Sequence, residues 1–78
     1  MHQFYVRFYS FEDVQAFVNL ATAQNFPITA GSDHYHVNAS SLMGMFSLNC
    51  SHPIAITAYC TEEQLHSFLQ AADRFLTR

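Results

Sequence analysis

Seventy-eight residues make one domain at most, and a chain this short buries only about 60% of its unfolded surface, so its stability margin is thin. Half of the residues are hydrophobic and 12% are charged, which provides for a core, excludes disorder and leaves some apolar or aromatic surface to meet a partner. The only cations, Arg7, Arg74 and Arg78, stand against six acidic residues for a net charge of −3, and this excludes recognition of a nucleic-acid backbone or an anionic membrane surface.

Phe4 to Tyr9 alternates aromatic and β-branched residues with a period of two, which predicts a strand. Phe4, Val6 and Phe8 take one face; Tyr5, Arg7 and Tyr9 take the other. Ser10 is a natural helix N-cap with Asp13 three residues on, and Glu12 and Asp13 suit the positive end of a helix dipole. Val14, Phe17, Val18 and Ala21 recur at helical spacing, carrying a first helix to about Ala23. Asn25 and Pro27 end it. Ile28 to Ala30 reads as a short strand, Gly31-Ser32-Asp33 as a turn and His34 to Asn38 as the returning strand. Tyr35 and Val37 face one way on it, His34 and His36 the other.

Ala39 to Leu48 reads as a two-turn helix capped by Ser40 or Ser41, and Asn49 to Pro53 as a loop. Ile54 to Tyr59 is a fourth strand, with Ile54, Ile56 and Ala58 opposite Ala55, Thr57 and Tyr59. Thr61-Glu62-Glu63-Gln64 is a capping box, and Leu65, Phe68, Leu69, Ala72, Phe75 and Leu76 form the stripe of a last helix. The order is βαββαβα, an α+β domain over residues 1–78. It predicts one sheet with three helices on one face. The other face would carry Tyr5, Arg7, Tyr9, His34, His36, Thr57 and Tyr59. With no export signal and no run apolar enough to span a bilayer, the chain is expected to be soluble and cytoplasmic, with Cys50 and Cys60 as reduced thiols.

Val37-Asn38-Ala39-Ser40-Ser41-Leu42-Met43-Gly44-Met45-Phe46-Ser47-Leu48 resembles the V-N-x-K-S-I-M-G-x-M-S-L stretch of HPr, the histidine-containing phosphocarrier of the bacterial sugar phosphotransferase system. Ile54-Ala55-Ile56-Thr57-Ala58 followed by Thr61-Glu62-Glu63 is similar to that family's penultimate strand and final helix start. The resemblance spans roughly positions 18 to 70 and implies the open-faced β-sandwich of the family, with its four-stranded antiparallel sheet. HPr proteins carry a G-x-H-A-R-P-A loop between the first strand and first helix, whose histidine accepts phosphate from enzyme I. Here the strand passes almost directly into the helix. By helix register, Ser10 takes the place of the histidine and Glu12 that of the arginine. Histidine phosphotransfer needs an imidazole and a cationic cradle; a serine hydroxyl beside Glu12 and Asp13 provides neither.

The resemblance therefore implies a non-enzymatic protein of the phosphotransferase network that regulates or binds other proteins without carrying phosphate on histidine. Leu42, Met43 and Phe46 match the apolar patch HPr proteins offer to partners. Ser41 matches the serine that a dedicated kinase phosphorylates in many Gram-positive relatives, which gives a second reading; a plain helix cap is the structural alternative. A third reading is a metal- or ligand-binding module on the open sheet face. His34 and His36 are half of a metal site at best, since zinc or nickel needs three or four ligands, and no cofactor is expected. Cys50 and His52, with no third group beside them, read as a surface loop. Tyr5, Tyr9, Tyr59 and Arg7 could form an aromatic face for a partner or a second copy.

Overall fold

The computed structural model describes residues 1–32, 34–49 and 51–77. Strands β1 (His2–Val6), β2 (Ile28–Ser32), β3 (Tyr35–Asn38) and β4 (Ile54–Ala58) alternate with helices α1 (Phe11–Thr22), α2 (Leu42–Phe46) and α3 (Glu62–Ala71) in the order βαββαβα. A 3-10 turn, Asp73–Phe75, follows α3. The sheet is antiparallel throughout and runs β1-β4-β2-β3.

The register fixes the two faces. Val6 pairs with Ile54, Phe4 with Ile56, Ala30 with Ile56 and with Val37. Side chains on one strand alternate between faces, so these residues share one side. That side is the helix side: Val6, Ala30, Ile54, Ile56 and Ala58 form one buried cluster with Phe17 and Val18 of α1, Met45 of α2 and Phe68 of α3. Full burial of each large side chain contributes about 1.5–3 kcal/mol. Phe8, Phe17, Phe68 and Phe75 meet there at tilted and edge-on angles, the geometry favoured by the ring quadrupole.

Both long helices start where the sequence places a cap. The Thr61 side chain accepts the Gln64 backbone N–H at 3.2 Å, and Gln64 returns the contact by accepting the Thr61 N–H at 2.9 Å. Ser10 Oγ accepts the Asp13 N–H at 3.2 Å. The Asp13 carboxylate accepts from the N–H of Tyr9 instead of Ser10, at 3.0 Å. The box at α1 thus closes one residue further out.

Several boundaries differ from the expectation, and four of them have an identifiable local reason. β1 ends at Val6 rather than Tyr9, because its partner β4 begins at Ile54 opposite Val6; Phe8 beyond the pairing is still buried against Phe17 and Phe75. Arg7 and Tyr9 consequently leave the sheet. The turn predicted at Gly31-Ser32-Asp33 begins later: Gly31 and Ser32 belong to β2, and Asp33 lies outside the described residues. Gly31 has φ +143, and a Cβ there would strike the Tyr35 carbonyl oxygen, so glycine is required at this crossing of the hairpin. α2 begins at Leu42, not Ala39. The Ala39 N–H donates to the Ile28 carbonyl at 2.9 Å, extending the strand pairing, and Asn38 Oδ1 accepts the Ser40 N–H at 2.9 Å in a side-chain turn. Finally, the last helix stops at Ala71; Leu76 leaves it to bridge Val6. Arg7 N–H donates to the Phe75 carbonyl and Thr77 N–H to the Tyr5 carbonyl, so residues 75–77 run along the outer edge of β1.

Candidate functional site

The start of α1 and the exposed side of α2 form one surface. Phe11, the first residue of α1, stacks on Phe46, the last of α2, with ring centroids 4.9 Å apart and planes 21° apart. Neither ring is buried, and Met43 beside them is 83% exposed. A hollow of about 480 Å³ opens next to the stack, lined by Arg7, Tyr9, Ser10, Phe11, Phe46 and Ser51 among others.

Strand periodicity puts Arg7 on the open sheet face; the early end of β1 brings it here instead. Its guanidinium donates to the Ser51 carbonyl at 3.3 Å and lies 5.6 Å from the Tyr9 ring centroid. Arg7 is thus a cation at this hollow that the alternating pattern does not reveal.

Ser10 is the α1 N-cap, as its position predicts. Its hydroxyl is exposed, and its oxygen takes the Asp13 N–H. Glu12 is exposed on the first turn. Asp13 also approaches Arg74, at 3.9 Å, too long and too exposed to contribute more than a fraction of a kcal/mol. The described residues lining the hollow include a hydroxyl, a guanidinium and aromatic rings, and no imidazole.

The three residues predicted as a partner patch separate. Met43 and Phe46 face solvent, while Leu42 is half-buried and packs against the core. Ser41 is the α2 N-cap, its exposed side chain accepting the Gly44 N–H at 3.1 Å. Gly44 lets α2 lie close on β3: a Cβ would stand 3.2 Å from that of Val37. Ser47 pins the far end of α2, donating its hydroxyl to the Gly44 carbonyl at 2.6 Å and meeting the Tyr35 hydroxyl at 2.9 Å.

The other expected constellations are dispersed. His34 stands in the turn before β3 and His36 within it, both exposed, so they do not share a strand face. No group of three or more metal-ligating side chains occurs among the described residues. Tyr59 follows β4, its N–H donating to the Pro27 carbonyl at 3.0 Å. Cys60 is a free thiol, and Cys50 lies outside the described residues. No described helix is long and apolar enough to cross a membrane.

No protein-family model matches the sequence, and no curated protein matches it. Among solved structures the chain is similar to HPr-C-His from Thermoanaerobacter tengcongensis, with a TM-score of 0.72 and 22% identity over 94% of this chain and 92% of that one. The strand order, the three helices on one side and this likeness together assign the chain the HPr fold.

Proposed function

We propose that the chain is an HPr-like, non-enzymatic interaction module of the bacterial phosphotransferase network, working in the cytoplasm without carrying phosphate on histidine. The observation that supports this reading is the cap of α1. Where the HPr motif has a histidine, Ser10 presents a hydroxyl whose oxygen already holds a backbone N–H. A hydroxyl with no adjacent base is a weak nucleophile, and its phosphate ester is a poor donor for onward transfer. Glu12 and Asp13 repel a phosphoryl dianion at that point. Arg7 offsets part of the repulsion, but its guanidinium is held by the Ser51 carbonyl and the Tyr9 ring.

What the surface offers instead is a docking patch. Phe11, Phe46 and Met43 present apolar area beside one arginine, the combination of aromatic anchor and cation that dominates binding hot spots. Incubation with enzyme I and labelled phosphoenolpyruvate tests the reading. No acid-labile label is expected on this chain, whereas an ordinary HPr in the same mixture acquires it. Acid-labile label on any histidine refutes the reading.

The exposure of Ser41 at the start of α2 favours a second reading, phosphorylation there by an HPr kinase. A phosphate at that position would add about −1.5 to −2 charges next to Met43 and Phe46 and so switch the docking patch. Incubation with ATP and such a kinase is expected to label the wild type and not Ser41→Ala; no label in either removes this reading.

A further inference from the structure

The open side of the sheet, away from the docking patch, carries a hollow of about 450 Å³. One row of residues crosses the sheet beneath it. Tyr5 pairs with Ala55, Gly31 pairs with His36, and the β2–β4 register that pairs Ala30 with Ile56 places Gly31 next to Ala55. The row therefore reads ring, methyl, hydrogen, ring across β1, β4, β2 and β3. Two small residues floor a slot walled by Tyr5 and His36. Three strand spacings separate these walls by about 14 Å between backbones, which admits a two-ring system lying flat on Ala55 and Gly31. Glycine at position 31 is imposed by the hairpin crossing, so the floor cannot fill with a side chain.

One end of the slot is closed by Leu48 and His52 from the loop leading into β4. That loop is braced: Asn49 Oδ1 accepts from the Ser51 N–H and hydroxyl at 3.1 and 2.6 Å, and Arg7 holds the Ser51 carbonyl. The polar groups are complementary in kind. Gln3 donates its amide N–H to Thr57 at 3.3 Å and Asn49 accepts from Ser51 through its carbonyl, and both of these lining side chains carry an amide with donor and acceptor. The imidazoles of His36 and His52 can serve as donor or acceptor. No Asp, Glu, Lys or Arg is among the described residues lining the slot, so the lining favours a neutral ligand over one that needs a fixed counter-charge. This side of the sheet already excludes water locally, since Thr57 is only 5% exposed there.

We propose that the slot binds an uncharged, flat, two-ring heterocycle bearing both hydrogen-bond donors and acceptors. The proposal is independent of the docking patch and of any phosphoryl chemistry. The test is a nuclear magnetic resonance titration of the whole chain with adenosine, inosine and 7-azaindole as probes, and with adenosine monophosphate as the charged comparison. Saturable shifts are expected at Gly31, Ala55, His36 and His52 with at least one neutral probe. Tyr5→Ala, an exposed position, is expected to weaken binding about two- to tenfold, the worth of one aromatic contact. Ala55→Leu, which fills the floor, should abolish it. Absence of saturable shifts at these residues with every neutral probe overturns the proposal, as does unchanged affinity in Tyr5→Ala. Tighter binding of the monophosphate than of adenosine overturns the assignment of an uncharged ligand.

Discussion

The rings of Phe8, Phe17, Phe68 and Phe75 meet inside the core with centroids 5.4 to 5.9 Å apart, while Phe11 and Phe46 stack face to face at 4.9 Å on the surface. The inner rings lie in one buried cluster with Val6, Val18, Ile28, Met45 and Ile56, and their loss would open a cavity. The outer pair covers little beyond itself and joins only the first residue of one helix to the last of another. The same residue type thus holds the fold together in one place and leaves apolar area unspent in the other.

The strongest way to break this contrast is Phe17→Ala, expected to cost about 3–5 kcal/mol through lost contacts and a residual cavity, read by denaturant unfolding. Gly31→Ala comes next, at about 1–3 kcal/mol, because the backbone there is in a region side chains rarely adopt. It gives a strain scale that depends on neither ring group. Ser10→Ala should cost about 1 kcal/mol by removing the cap beneath the outer pair, close to the effect of Thr61→Ala at the reciprocal box of α3. The smallest change in stability is expected for Phe46→Ala, below about 1 kcal/mol, and a double-mutant cycle with Phe11 should return a coupling of about 0.5 kcal/mol. If Phe46→Ala destabilises as much as Phe17→Ala, the outer rings belong to the core and the contrast fails. If it leaves stability intact but abolishes capture by a phosphotransferase partner, the contrast is sharpened.

Much of the fold was legible because its punctuation is local. Ser10 with Asp13 and Thr61 with Gln64 mark two helix starts by side-chain chemistry alone, and β4 sets the β-branched Ile54, Ile56 and Thr57 between turn signals. The ends were harder. Phe75 and Leu76 continue the spacing of the α3 stripe, and periodicity cannot tell a residue in a helix from one that leaves it to meet β1. The start of α2 moved because Asn38 competes for the Ser40 N–H, a contact that depends on where β3 stops. At the site, Ser10, Ser41, Met43 and Phe46 could be placed from sequence. Arg7 could not, since where β1 stops depends on where its partner β4 begins, a tertiary register. The slot on the open side was equally hidden: it depends on a register that sets Ala55 beside Gly31, and no single strand records it.

The clasp of residues 75–77 on β1 makes the two margins of the sheet unlike. At the β1 margin the Tyr5 carbonyl and the Arg7 N–H have their partners in the same chain, while β3 ends the strand order on the far margin. A foreign strand pairing along the whole of β1 must first displace this segment, so residues 75–77 compete with strand addition there.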